Sequence, residues 1–226
     1  MSLLVSVVNV FVDESGEHGN PLGIVWASTS TRKHEQQIAA DLGFSETIFI
    51  DDVSGTSASA RIFTPTLELP FAGHPTVGLA TWLRRSGDEI TEIDVPAGSV
   101  RVRADGDLVF VTARPEWTPE FELTEFETPA DVEAIDPDAF TDGQVYAWAW
   151  SDEAARSVRA RMFGPGLGIR EDEATGAAAV RLSAALGRDL EIRQGAGSLL
   201  HTHVRYLGQQ IEVGGRTSDD RTFELR

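Results

Sequence analysis

The chain has 226 residues, a hydrophobic content of 41% and a formal net charge of −17, from 36 acidic and 19 basic residues. This content suffices for a packed core and argues against disorder, while the acidity disfavours nucleic-acid backbones and anionic membranes as partners. Because cysteine is absent, disulfides, thiolate metal sites and cysteine-based catalysis are excluded, and a reducing cytoplasmic location is expected.

Apolar patterning predicts strands and helices from one end of the chain to the other. The first apolar run meets Asp13 and Glu14 too early to span a bilayer, so it is interpreted as a buried strand. Strands are expected at 4–12, 23–28, 46–51, 58–63, 99–104, 107–113, 145–150, 158–163, 190–194, 199–206 and 210–213. Helices are expected at 31–42, 74–86, 130–135 and 175–187. Tight turns between several strands favour antiparallel sheet.

An internal repeat organises these elements. The segments SASARIFTPTLEL (57–69) and SVRARMFGPGLGI (157–169) align without a gap at an offset of 100 and share six of thirteen residues. Each copy leads into a glycine-containing turn and an alanine-rich helix. We infer two copies of one α/β unit, 1–115 and a shortened 116–226, with terminal strands that can cross over. A site between the copies would bring the two strand-to-helix turns face to face.

The two helix starts are candidates for holding an anion. In PFAGHPT, Gly73 permits close backbone approach and Pro75 suits a first helical turn, whose amides are unpaired. The second start, in DEATGAAA, has three small residues at the matching location: Thr175, Gly176 and Ala177. Ordinary capping explains either start alone. The duplication favours two helix ends that together hold one small carboxylate without lysine or arginine.

Three titratable residues lie near these starts. His74 is either an acid/base residue near neutral pH or a hydrogen-bonded histidine at a helix start. Glu46 precedes the apolar run TIFI, where burial would suit it to acid/base chemistry, although a solvated strand edge is the simpler explanation. Asp172 either complements a helix dipole or orients the histidine.

Cofactor and metal motifs are absent from the sequence. His201 and His203 share a strand face but have no third ligand at a diagnostic spacing, so no metal site is expected. The segment GPGLG lacks the ending of a phosphate-binding loop, and neither a dinucleotide fingerprint nor a serine nucleophile elbow is present.

Four ordered blocks resemble the PhzF-like phenazine-biosynthesis family, within the diaminopimelate epimerase superfamily. They are GNPLGIV (19–25), SETIFI (45–50), RIFTPTLELPFAGHPT (61–76) and RMFGPGLGIREDEATGAAA (161–179). The resemblance implies an α+β fold of two pseudo-symmetric halves, each a curved, mostly antiparallel sheet wrapped round a central helix. It also implies a homodimer and a cofactor-independent isomerase that moves a proton on a small carboxylate, a dihydro-hydroxyanthranilate in the best understood member.

The resemblance assigns the proton transfer to Glu46, assisted by His74 and Asp172. Substrate contacts are implied at five positions in the matching blocks: Asn20, Gly73, Thr175, Gly176 and Ala177. The chain departs from the family pattern at Glu173 and Ala177, where proline and serine are usual. It also departs at 195–204, which lacks the usual glycine, arginine and proline run.

Two other functions stay open at this point. One is a two-base epimerase or racemase of the same fold, which would have to use Glu46 and Asp172 because cysteine is absent. The other is a non-catalytic protein that binds small anions, for which Ala177 and the shortened second half are the best support.

The basic residues are 18 arginines and a single lysine, Lys33. Strong acidity with almost no lysine indicates adaptation to a salt-rich cytoplasm, whereas a GC-rich genome would explain the arginine bias but not the charge. If salt screens the repulsion between carboxylates, Tm should rise steadily between low and molar KCl. Differential scanning fluorimetry measures this, and a Tm independent of KCl would contradict the interpretation.

Overall fold

The computed structural model describes residues 3–225. Within that range, the chain forms strands β1 (Leu3–Val12), β2 (Asn20–Trp26), β3 (Glu46–Ser54), β4 (Ser57–Phe63), β5 (Glu68–Leu69), β6 (Glu92–Val95), β7 (Gly98–Asp105), β8 (Leu108–Ala113), β9 (Glu122–Glu125), β10 (Val145–Asp152), β11 (Ser157–Gly164), β12 (Ile169–Asp172), β13 (Leu190–Gln194), β14 (Ser198–Arg205) and β15 (Gln210–Leu225). The helices are α1 (Glu35–Leu42), α2 (Gly73–Arg85), α3 (Pro129–Glu133) and α4 (Gly176–Leu186).

Eight strands close into a barrel around α2. They pair in the order β1, β2, β3, β4, β6, β7, β8 and β15, and β15 returns to β1. All neighbours are antiparallel except β2 with β3 and β4 with β6. Ten of the thirteen residues of α2 are buried, because a helix inside a barrel is covered on nearly every side.

The second half is an open sheet around α4. Its strands pair in the order β15, β14, β13, β11, β10 and β9, with β12 alongside β11. Helix α4 packs on β14 and β15, and α3 packs on β10 and β11. The predicted α+β class, with curved, mostly antiparallel sheets around central helices, is therefore confirmed. No helix within 3–225 is long and apolar enough to cross a membrane.

Arginines of the second half fix the acidic segment between the halves. That segment, 116–142, contains ten acidic residues and no basic one. Arg161 donates to the carbonyl oxygens of Val132, Glu133 and Ile135 at 2.8 to 3.2 Å, and Arg159 pairs with the Glu133 carboxylate. A guanidinium group carries several N–H donors, so these two buried arginines hold the backbone of the segment by hydrogen bonds to its carbonyl oxygens and its carboxylate.

Strand β15 belongs to both halves. Its first part pairs with β14 and with β8, and its second part, from Arg216 onward, pairs with β1. Sequence patterning predicts a strand that stops at 213, because Gly214 and Gly215 precede a polar stretch that looks like a turn. The strand continues to Leu225 because its backbone pairs with β1 and so closes the barrel, an interaction that needs no apolar side chains.

The two glycines of β15 are required where the strand crosses between the halves. A Cβ on Gly214 would overlap the Val109 carbonyl oxygen and the Phe110 ring, and one on Gly215 would lie 2.8 Å from the Phe11 ring. Glycine inside a strand commonly marks such a close approach.

Other differences from the predicted elements have local causes. Helix α1 begins at Glu35 and not at 31, because Ser28 and Thr31 hydrogen-bond each other and hold the preceding residues in turns. The short strands β5, β6, β9 and β12 were not predicted, since two to four residues carry too little alternation to be recognised.

We expect Gly214→Ala to lower the free energy of unfolding by about 3 kcal/mol, because the added methyl group has no room beside the β8 backbone. The control, Gly55→Ala, changes a turn glycine that has open space around it and φ 60°, so it should cost only about 1 kcal/mol. Urea denaturation measures both values. Equal losses for the two variants would contradict the close approach.

Candidate active site between the halves

The N-terminal ends of α2 and α4 meet backbone to backbone. A Cβ on Gly176 would lie 3.1 Å from the His74 amide nitrogen and 3.3 Å from Gly73 Cα, so a side chain at Gly176 would crowd the start of α2. Within residues 3–225, no side chain caps either helix start. The two strand-to-helix turns therefore face one another, as the repeat predicts, with first-turn amides free of side-chain acceptors.

A cleft of about 510 Å³ lies beside these helix starts and is lined by both halves. Its polar side carries Glu46, Asp172, Thr175 and Ala177. The other walls are largely apolar and include Phe44, Leu69, Phe71, Phe121, Met162 and Ile169. The cleft thus combines carboxylates with a large apolar surface, as small-molecule sites usually do.

Some of the predicted site residues lie beneath the cleft and not on its wall. Asn20 and His74 are 2% and 3% exposed. Asn20, expected to line the cleft, instead donates its side-chain amide to Asp172 Oδ1 at 2.8 Å and to the Ala174 carbonyl at 3.0 Å. Asn20 therefore lies between His74 of the first half and Asp172 of the second.

His74 links Glu46 to the backbone of Asn20. Its Nδ1 lies 2.9 Å from Glu46 Oε2, and its Nε2 lies 3.0 Å from the Asn20 carbonyl oxygen. Because a carbonyl oxygen only accepts, Nε2 must carry a proton. A further proton is then shared between Nδ1 and Glu46, as imidazolium with carboxylate or as imidazole with carboxylic acid.

The charge of this pair depends on its surroundings. Burial by itself would lower the pKa of His74, but the hydrogen bond with Glu46 and the charges of Glu46 and Asp172 outweigh burial and raise it. These contacts therefore favour the protonated form of His74 despite its burial.

Asp172 is the second buried carboxyl group of the site. Burial raises its pKa to about 6, the charge of Glu46 adds to the rise, and a hydrogen bond from Thr175 opposes it. Its Oδ1 accepts from Asn20, and its Oδ2 accepts from the Thr175 hydroxyl at 2.6 Å. Two carboxyl groups in different environments therefore face one cleft.

Gln194 and Tyr146 complete the site and were not found from the sequence. The Gln194 side chain is fully buried; its Oε1 accepts from the Tyr146 hydroxyl and the Thr175 amide, and its Nε2 donates to the Asp172 carbonyl and the Thr175 hydroxyl. Burial raises the pKa of Tyr146, so this hydroxyl remains a donor. Gln194 ends a strand, LEIRQ, that already carries exposed and half-buried polar residues, so only three-dimensional contacts reveal that its side chain is buried.

The cleft contains little positive charge. Among the described residues that line it, Arg170 alone is basic, and its Nε donates to Asp138 at 2.6 Å. No group of three or more His, Asp or Glu side chains within 3–225 is arranged to hold a metal ion. Apart from Arg170, the donors available to a bound carboxylate are neutral groups: backbone amides near the helix starts, and the side chains of Ser45, Thr64, Thr66, Gln144 and Thr175.

The chain is similar to proteins of known family. Residues 8–134 match the model of the phenazine biosynthesis-like proteins. A trans-2,3-dihydro-3-hydroxyanthranilate isomerase of Pseudomonas aeruginosa is 29% identical over 92% of this chain and 83% of its own length. An uncharacterized isomerase of the same organism is 28% identical, with 96% of each chain covered.

Solved structures share the fold. A PhzF-family phenazine biosynthesis protein of Enterococcus faecalis superposes with a TM-score of 0.79 at 22% identity and full coverage of both chains. A probable proline racemase of Agrobacterium radiobacter gives a TM-score of 0.58 at 12% identity, covering 99% of this chain and 93% of its own. At these identities, the likeness is one of fold.

The stability of Asp172→Asn relative to that of the wild type should increase as the pH rises toward neutral. Folding raises the pKa of Asp172 from 3.8 to about 6, so the folded state favours the protonated form, and stability is lost as this group ionises with rising pH. The variant lacks that loss. Its advantage in urea denaturation should grow between about pH 4 and pH 6, then level off at about 1 to 3 kcal/mol.

The control for this experiment is Asp138→Asn. Arg170 holds the pKa of this exposed carboxyl group below its ordinary value, so its removal should bring no such gain. An Asp172→Asn advantage that does not change with pH would contradict the burial of a charge at this position.

Proposed function

The chain belongs to the phenazine biosynthesis-like protein family and is an isomerase, and from that premise we propose that it transfers a proton on a small carboxylate substrate bound between its halves, without a cofactor. The resemblance carried by the four sequence blocks is thereby confirmed at the level of the family. The observation that carries the proposal is the 2.9 Å hydrogen bond between Glu46, which lines the cleft, and His74, which is buried beneath it.

In the proposed reaction, Glu46 is both base and acid. With the shared proton on His74, the Glu46 carboxylate accepts a proton from a substrate carbon, and the electron pair of that C–H bond moves into the adjacent unsaturated system. The resulting carboxylic acid returns the proton to another carbon of the same substrate. The isomerisation consumes no proton, and the imidazolium stabilises the carboxylate between turnovers.

The helix starts supply the binding contacts in this proposal. The substrate carboxylate lies against the first-turn amides at Gly73 and Gly176, with Thr175 and Ala177 beside it. Helix N-termini attract anions through unpaired N–H groups and the helix dipole. The near absence of basic side chains in the cleft supports this assignment. We propose only the class of substrate, a small carboxylate. Glu173 and Ala177 make the second helix start differ from the family pattern, so the family's substrate is not assigned to this chain.

A two-base epimerase has less support. Both Asp172 oxygens already accept hydrogen bonds, from Asn20 and Thr175, so Asp172 is suited to orienting Asn20 and to raising the pKa of His74. A non-catalytic anion binder also has less support, because Glu46 lies on the cleft and is held by His74. The homodimer implied by the resemblance remains a prediction.

Glu46→Gln should abolish turnover, because an amide neither accepts nor returns the proton. The loss in kcat should be about a thousandfold or more, within the range for removal of a general acid/base, while Tm stays near that of the wild type. Substrates are first sought among small cyclic and acyclic carboxylates by thermal stabilisation at high salt. Turnover is then followed by proton NMR in D2O as deuterium incorporation and isomer formation.

The matched control is Glu191→Gln, which alters an exposed carboxylate on β13 outside the cleft. It should retain full activity. Undiminished turnover by Glu46→Gln would refute the assignment. Carboxylates that stabilise the wild type without any deuterium exchange would favour the anion-binding protein instead.

A further inference from the structure

Glu173 lies between two residues that Asn20 contacts, but its own side chain holds a different segment. Its Oε2 accepts from the Ala196 amide at 2.8 Å, and its Oε1 accepts from the Ser198 hydroxyl at 2.7 Å. These contacts fix the turn between β13 and β14. Two places where the chain departs from the family pattern in sequence, Glu173 and the segment from 195, are therefore hydrogen-bonded to each other.

Ser198 continues the connection toward the site. The residue is fully buried, and its Oγ accepts from the Gly19 amide at 3.0 Å. A serine hydroxyl has one proton, which here goes to Glu173, so its lone pairs are left to face Gly19. Without the carboxylate, the hydroxyl proton has no fixed acceptor, and the bond to Gly19 is no longer oriented.

Gly19 directly precedes Asn20, the residue that holds His74. The Asn20 carbonyl accepts from His74 Nε2 at 3.0 Å, and the Asn20 side chain is tied to Asp172 and to Ser45. The side chain of Asn20 thus has anchors in both halves. The backbone next to the Asn20 carbonyl is also tied to the second half, because the amide of Gly19 donates to the Ser198 hydroxyl.

We propose that Glu173 is a positioning residue for the Glu46–His74 pair. Through Ser198 and Gly19, it sets the position of the Asn20 carbonyl, which keeps the proton on His74 Nε2 and leaves Nδ1 to share a proton with Glu46. The kinetic consequence of this positioning role rests on the proposed function. The effect of Glu173 on the protonation of His74 does not rest on it, because the protonation of His74 can be measured without substrate.

The test uses Glu173→Gln and Ser198→Ala in the full chain. Glu173→Gln keeps the size of the side chain but leaves only one acceptor oxygen. Ser198→Ala removes the hydroxyl that links Glu173 to the Gly19 amide. Nitrogen-15 NMR of labelled histidine follows His74 against pH. We expect its titration midpoint to fall and a population protonated at Nδ1 alone to appear in both variants.

The kinetic readout separates positioning from binding. We expect kcat to fall about tenfold, as a displaced catalytic group commonly causes, while KM changes less than kcat. The double variant should be no worse than the worse single one, because both act through one chain of contacts. The control, Glu153→Gln, removes an exposed carboxylate paired with Arg188 at 2.8 Å and should change neither readout.

The outcomes are distinguishable. If His74 titrates in both variants as in the wild type, the positioning role is overturned, whatever happens to kcat. If its titration changes while kcat does not, Glu173 positions the pair but the pair does not limit turnover, which counts against the proposed function. Should Glu173→Gln fail to fold, Ser198→Ala decides the matter alone.

Discussion

The backbone contact between two helix starts determines where everything else in the site lies. Because Gly73 and Gly176 have no side chains, α2 and α4 begin within van der Waals distance, and their dipoles point to one place from opposite halves. Glu46 and His74 reach this place from the barrel, and Asp172 reaches it from the open sheet. A side chain at Gly176 would crowd the start of α2, and one at Gly73 would crowd Val213.

The distribution of arginines fits a site that would bind an anion through backbone amides and not through basic side chains. Most arginines of the second half are committed to carboxylates or carbonyls, as in the contacts of Arg161 with the Glu171 carboxylate and with the Val132 carbonyl oxygen of α3. The small carboxylate that we propose as substrate would approach a protein with net charge −17. Salt screens that repulsion at the surface, whereas buried amides at short range are screened much less. Binding through helix starts is therefore compatible with a salt-rich environment.

The sequence alone predicts that Glu46, His74 and Asp172 lie close together, and the structure brings them together beside one cleft. Glu46 begins a strong apolar strand, and His74 and Asp172 lie at or just before the two helix starts that follow the repeated segments. Gln194 and Ser198 escaped notice because a buried polar residue is recognisable only from its partners. Strand β15 was underestimated because its function is carried by backbone hydrogen bonds, which leave no hydrophobic pattern. Glu173 was noticed as a departure, but its contact with Ser198 spans 25 residues.

The shared strand β15 also has a consequence for how the chain comes to be folded. Ribosomes deliver the N-terminal strands first, yet β1, which pairs with β2 on one side, obtains its second partner only when residues 216–225 have emerged. Until then, β1 and β8 present unpaired edges to the cell, and the most sequence-distant contacts of the molecule remain to be formed. Such topology slows folding and prolongs exposure to aggregation. The N-terminal barrel therefore closes only after nearly the whole chain has been synthesised.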